Sequence, residues 1–181
     1  MKEADLVKLA LENGATKAAV IPQDAIVLSA TFFDICKANQ CGNFGKCWMC
    51  PPDVGPIEEL MARVRSYPKG LLYQTISALE DSFDIEGMEE RAREHARVSQ
   101  RVQQAVRPLL QRPFLHLGCG GCRVCRTCAR RDGAPCRHPG QALPSLEGSG
   151  VDVYNTVKGT SLKYVNGRNT VTFFGMVLWE A

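Results

Sequence analysis

Five of the chain's nine cysteines fall within positions 119–140, CGGCRVCRTCARRDGAPCRHPG, and four of the five recur at every third residue. Thiols crowded onto so short a stretch must cross-link, bind metal or react, which limits the fold more than any helix or strand pattern does. The chain has 181 residues, 45% of them apolar, so a core can form without covalent staples. Its opening residues, MKEADLVKLALENG, set acids inside an apolar pattern and lack the apolar centre of a signal peptide. The expectation is a soluble cytoplasmic protein, in which reducing conditions disfavour disulfides and clustered cysteines point to metal or redox chemistry. No apolar run approaches the roughly 20 residues of a membrane span. The net charge of +3 is too small to argue for a nucleic-acid partner. Locally the balance differs: Arg123, Arg126, Arg130, Arg131 and Arg137 crowd the second cysteine region against Asp132 alone. Guanidinium groups there would stabilise an anionic thiolate cluster or face an acidic redox partner, where the plainer reading is a solvated basic loop.

The rest of the chain reads as a single domain, 1–181, in which helices and strands alternate. Apolar spacing predicts a helix over 3–13 closed by Gly14. A short strand over 17–21 stops at Pro22, and Asp24 is placed to cap a helix over 25–36, whose β-branched content leaves a strand open. Gly55 and Pro56 announce a helix with Glu58 and Glu59 in its first turn, ending before Pro68. A strand over 70–79 precedes the longest helical pattern, 84–110, with Met88, Ala92, Val98, Val102, Ala105 and Val106 on one face. Strand 114–117 runs straight into the second cysteine region. Ser149 and Asp152 have capping-box spacing for a helix through Val157. TVTFFGMVLW, 170–179, is a buried strand. The fold expected is α/β or α+β: a small layered sheet of about four strands, packed helices, and two cysteine-rich metal-binding loops, 36–52 and 119–140.

The first loop, CKANQCGNFGKCWMCPP, carries Cys36, Cys41, Cys47 and Cys50. Gly42 and Gly45 allow tight turns that free backbone N–H groups to point at sulfur. The Cys50-Pro51 junction is of a kind found at iron–sulfur ligands. The bland alternative is four buried cysteines acting as small hydrophobes. In the second loop a C-x2-C-x2-C run lets three sulfurs converge on one cubane while a remote cysteine completes it. Cys122, Cys125, Cys128 and Cys136 fit that arrangement, which leaves Cys119 spare. Zinc is the competitor. Overlapping C-x2-C steps suit one tetrahedral ion poorly, yet Cys125, Cys128, Cys136 and His138 make a possible Cys3His set. His95 reads as a solvated face residue of the long helix, and His116, alternating with Leu115 and Leu117, as a structural histidine near the site. Trp48 reads as a cover over the first site. No phosphate loop, Ser-His-Asp order or carboxylate pair stands out.

FGKCWMCPP, GCRVCRTCARRDGAPCRHP and ALPSLEGSGVDV together resemble a prokaryotic family of unknown function described as predicted metal-binding proteins. Its first motif resembles C-x-x-C-x-x-[YF]-G-K-x-x-x-C-P-P; its second, C-x-x-C-x-x-C with a remote C-R-x-P, then P-S-x-E-x-x-G-[IV]-D-V. Cys41, Cys50, Cys122, Cys125, Cys128 and Cys136 match these patterns, and Cys36 matches with a longer spacing. Cys47 and Cys119 stand outside them. The resemblance implies a metal, commonly presumed an iron–sulfur centre, and supplies no reaction.

The leading expectation is therefore an intracellular iron–sulfur protein with one or two [4Fe–4S] clusters that passes electrons to a redox partner. Its candidate cluster ligands are Cys122, Cys125, Cys128 and Cys136, with Cys36, Cys41, Cys47 and Cys50 as further metal ligands. Two alternatives stay open. One is a zinc-stabilised binding module. The other is a redox enzyme with its cluster beside a small-molecule pocket, for which Ser145 and Glu147 are the polar candidates.

Overall fold

A computed structural model describes residues 2–180 and shows a four-stranded antiparallel sheet flanked by five α-helices, an α+β fold. The strands are β1 (Lys17–Pro22), β2 (Lys69–Ala78), β3 (Phe114–Leu117) and β4 (Thr170–Trp179), in the order β1-β2-β4-β3. The charge-free run TVTFFGMVLW thus becomes a central strand. It pairs with β2 from Lys69↔Trp179 to Ala78↔Thr170, and with β3 from Phe114↔Trp179 to Leu117↔Met176.

Side chains alternate across a sheet, and here both faces are covered. Leu71, Tyr73, Val177 and Trp179 face α1 (Glu3–Glu12) and α4 (Ile85–Leu110), meeting Leu6, Ala10, Val98, Val102 and Val106. Leu72, Leu115, Leu117, Phe174, Met176 and Leu178 face the other way, onto Val64 of α3 (Ile57–Arg65) and Val153 and Val157 of α5 (Val153–Val157). Each such aliphatic side chain, fully buried, contributes about 1.5–3 kcal/mol of transfer free energy. α2 (Thr31–Lys37) packs against a 3-10 turn, Glu147–Ser149, at the rim of this second layer.

Several local expectations hold. Asn13 caps α1 and Gly14 follows at φ +103°; Pro56 caps α3 and Glu58 and Glu59 occupy its first turn. The long helix expected over 84–110 also forms, and the structure adds its cap: Asp84 accepts from Gly87 N at 2.8 Å. Three expectations need correction. The region 25–36 is not one helix: a 3-10 turn, Gln23–Ala25, leads to a lone bridge between Leu28 and Val151 before α2 begins. Ser149 caps nothing; Asp152 caps α5 itself, accepting from Asn155 N at 3.0 Å. His95 is not a solvated face residue, being 2% exposed beneath α4.

Burial of His95 has a polar reason. Its Nε2 lies 3.0 Å from Phe174 O, a group that only accepts, so Nε2 carries the proton and Thr75 Oγ1 donates to Nδ1 at 2.9 Å. His116 is equally enclosed. Tyr73 donates its hydroxyl proton to Ser99 Oγ at 2.8 Å, so His116 Nε2 donates to the Tyr73 oxygen at 2.7 Å. His116 Nδ1 is then an unprotonated acceptor, buried with no partner among the described residues. The Tyr73 ring lies over Gly175, its register partner, and a Cβ there would collide with the ring.

Candidate metal centre

Two backbone splices position the cysteine loops. β3 ends at Leu117, and Gly118 at once pairs with the PSLEGSG segment: Gly118 N donates to Pro144 O at 2.8 Å and Leu146 N to Gly118 O at 2.9 Å. The second cysteine region therefore leaves from a fixed point on the sheet. The far end of the same segment holds the approach to the first loop, through Ser29 N to Gly150 O and Asp152 N to Val27 O, each 2.8 Å.

The loops also grip each other. Trp48 Nε1 donates to Ala134 O at 2.9 Å, and the Arg130 guanidinium lies 5.1 Å from the Trp48 ring centre. Arg130 also pairs with Asp53 at 2.8 Å. Trp48 thus joins the two loops, beyond its expected part as a cover for the first site. A Cβ on Gly121 would come within 2.6 Å of the Asn43 amide, so glycine lets the loops close at that point. Within the second region a 3-10 turn, Ala129–Asp132, and Gly133 at φ +68° reverse the chain. Arg137 then donates to Thr127 O at 2.9 Å, bringing Cys136 back towards the triplet.

All nine cysteines are free thiols. Cys47 and Cys50 are buried, at 2% and 8% exposure, and their sulfurs are in contact, with Cys128 also close to Cys47. The contact from Cys50 holds the Cys47 thiol down at about 6, against its burial, while the same contact and burial push Cys50 up. Contact between the two sulfurs thus favours the deprotonated form at Cys47, and a thiolate is the form that binds metal. Cys50 also feels the charges of Cys41 and Cys36. Burial first, then Cys41, then Glu147, pushes Cys36 up. Cys36, Cys41 and Cys50 therefore form one neighbourhood.

Cys47 faces the other loop as well. With Cys122, Cys125 and Cys128 it lines a cleft of about 210 Å³ whose remaining wall includes Asn43, Arg126 and Arg131. The same four, with Cys136 and His138, line a smaller void of about 20 Å³. Sequence reasoning assigned Cys47 to the first loop's own set; its burial among the second triplet had no signal beyond its place next to Trp48. Among the described residues no three His, Cys, Asp or Glu side chains are drawn to ligation distance of one point. The donor set nonetheless suits a soft or borderline metal in kind: five thiols around adjoining cavities, with guanidinium groups to offset thiolate charge.

The remaining candidates have structural roles. Ser145 Oγ accepts from Gly148 N at 2.8 Å and closes the 147–149 turn. Glu147 reaches back to Gly120 N at 3.3 Å, and burial pushes its carboxyl up. Cys119 stands apart from the triplet's cavities, and burial with the nearby Glu147 pushes its thiol to about 12. Among the described residues no helix is long and apolar enough to cross a membrane.

Neither the curated proteins nor the solved structures contain a match to this chain. A family model described as "Predicted metal-binding protein (DUF2284)" matches residues 19–179, from β1 through both cysteine loops to the end of β4. That span covers nearly the whole chain, and the protein belongs to this predicted metal-binding family.

Proposed function

We propose that the protein is a cytoplasmic iron–sulfur electron carrier whose [4Fe–4S] cluster is held by Cys122, Cys125, Cys128 and Cys136. The observation that carries this reading is the 210 Å³ cleft lined by Cys122, Cys125 and Cys128, three thiols that also share the smaller void with Cys136. A single tetrahedral ion needs only a void of its own size, whereas this space, walled by Cys47, Cys122, Cys125 and Cys128, suits a larger body. Cys47 competes with Cys136 as the fourth ligand. Cys36, Cys41 and Cys50 are the candidates for a second centre. A cluster of this kind, when bound, supplies one-electron transfer at a potential tuned by hydrogen bonds and burial. The chain contributes the setting: Gly42 and Gly45, at φ +71° and +65°, fold the first loop tightly, and Arg126 and Arg131 offset anionic charge. Nine free thiols agree with a reducing compartment. The exposed arginines around the second loop suit an acidic redox partner.

Zinc is the second reading, and it too has an observation. Cys125, Cys128, Cys136 and His138 all line the 20 Å³ void, which has the room of one ion. On this reading the metal contributes folding energy and no redox chemistry. Anaerobic purification followed by iron, acid-labile sulfide and zinc assays, with visible absorption, separates the two. A brown protein with about four iron and four sulfide per cluster is expected. A colourless protein with stoichiometric zinc removes the electron-transfer reading.

A further inference from the structure

β3 is an outer strand of the sheet, so one of its two edges has no neighbouring strand. Along an antiparallel strand the N–H and C=O of one residue point to one side, and those of the next point to the other. Gly118 N and O both turn away from β4, to Pro144 O and from Leu146 N, so the outward residues of β3 are Phe114 and His116. The chain's own segment covers this edge at Gly118, through a parallel bridge to Ser145, and goes no further. The next bond would need an N–H from Pro144 for His116 O, and proline has none. The N–H and C=O groups of Phe114 and His116 thus have no partner among the described residues.

A cavity of about 550 Å³ lies along that edge. Phe114, Leu115 and His116 all line it. Successive side chains of a strand point to opposite faces, so one cavity touches all three only from the side. The rest of the lining agrees: Gln103 and Arg107 come from α4 on one face of the sheet, and Leu60 and Arg63 from α3 on the other. Gln103 adds an independent demand. It is 8% exposed, its amide has no hydrogen-bond partner among the described residues, and neither amide atom is fully enclosed, so both can be met from the cavity. Arg63, Arg107 and Arg112 line the cavity against one carboxylate, Asp53, which Arg130 already holds at 2.8 Å.

We propose that this groove binds a short extended peptide segment of an acidic partner protein, added to the sheet as a strand beside β3. Phe114 and His116 pair with the peptide's main chain, and its alternate side chains fall towards Leu60 on one face and Gln103 on the other. The arginines favour acidic residues in the occupant. They also disfavour a second copy of this chain, because edge-to-edge pairing about a two-fold axis would set the same three guanidinium groups against their own copies. Trp48, Met49 and Ala142 line both this groove and the 20 Å³ thiol void, so a docked segment lies next to the candidate metal centre. Docking itself uses no metal, so it stands or falls apart from the iron–sulfur reading.

Calorimetry of the purified protein, with whatever metal it retains, tests this using the acetylated, amidated peptide EVEVE as probe. Binding at about 10–500 μM is expected, and KVKVK should bind about tenfold more weakly. Methylating the valine backbone nitrogens blocks one edge of the peptide, and methylating those of the glutamates blocks the other. One of these two peptides should therefore lose about tenfold in affinity while the other keeps it. Phe114→Pro removes an N–H that β4 does not use and sets a ring on the open edge, so it should weaken binding about tenfold while circular dichroism shows the sheet intact. The methylated peptides decide the matter even where that variant fails to fold. Arg63→Glu should weaken binding about fivefold, and Arg65→Gln, on the same helix but outside the lining, should not. No binding of EVEVE at about 2 mM overturns the proposal. So does binding by both methylated peptides or by neither, or equal affinity for KVKVK. A dimer in sedimentation that Phe114→Pro splits also overturns it, by giving the edge to a second copy. Metal content measured on the same samples keeps these results distinct from failure of the cluster reading.

Discussion

Lowering the pH from 7 to 5 should weaken the fold through two histidines. Burial holds His95 down at about 4, opposed by its bond to Phe174 O, and holds His116 down at about 3 with help from the charge on His95. In the unfolded chain both return to 6.5. Above 6.5 neither state binds these protons and pH has no leverage. Below it the unfolded chain takes up protons that the native state refuses, so stability falls as pH falls, until the native values near 4 and 3 are reached. Between pH 7 and 5 each histidine accounts for a loss of about 2 kcal/mol, or up to about 4 kcal/mol together. That is a large part of the 5–15 kcal/mol a domain usually has.

Urea unfolding at pH 7, 6 and 5, followed by circular dichroism under anaerobic conditions, measures this. Acid also displaces metal from thiolates, but that loss is common to wild type and variants. The informative quantity is the difference in slope for His95→Gln and His116→Gln. Glutamine at 95 keeps a donor for Phe174 O and an acceptor for Thr75, without a titrating ring. Each variant should flatten the pH 7-to-5 decline by about 2 kcal/mol. Variants that decline as steeply as wild type would refute the buried, neutral assignment of these rings.

Three further outcomes are expected. Gly175→Ala drives a Cβ into the Tyr73 ring across the β2–β4 pair and should cost about 3 kcal/mol in thermal or urea unfolding, where an exposed glycine change would be nearly silent. Trp48→Ala removes the bond to Ala134 O and the Arg130 stacking; with about 1–2 kcal/mol lost between the loops, metal release to a chelator should accelerate several-fold while the sheet's melting changes little. Cys125→Ala should strip the second centre and Cys119→Ala should retain it, by metal assay; between Cys47→Ser and Cys136→Ser, the one that loses metal identifies the fourth ligand.

The regular elements were legible because their signals are local. TVTFFGMVLW needed only its uncharged length, and α4 only a periodic face. His95 was misread for a related reason: charged neighbours on a helix report the average face, whereas one buried imidazole depends on Phe174 O and Thr75, far away in sequence. The 25–36 region failed because apolar and β-branched residues suit helix and strand alike, and pairing of Leu28 with Val151 decided the matter. In the site, the triplet Cys122, Cys125 and Cys128 was evident from spacing. The approach of Cys47 was not, since it depends on Trp48, Asp53 and Gly121 meeting their partners across loops more than 70 residues apart, as the 86-residue separation of Trp48 from Ala134 illustrates.

The segment ALPSLEGSGVDV suggested polar pocket residues, and its backbone shows a different use. Pro144 and Leu146 hold Gly118, where the second cysteine region departs; Gly150 and Asp152 hold Ser29 and Val27, on the way into the first. One short segment therefore sets the distance between both loop origins. Its glycine is required by geometry: Gly150 has φ +80°, and a Cβ there would meet the Met61 side chain at 2.7 Å. Asp152 turns the chain into α5, whose Thr156 accepts from Val27 N at 3.0 Å and secures the same splice again. A change at Gly150 would thus be felt at thiols it never touches. Two loops distant in sequence can share a metal centre only if their roots are held in register, and this brace is the part of the fold that holds them.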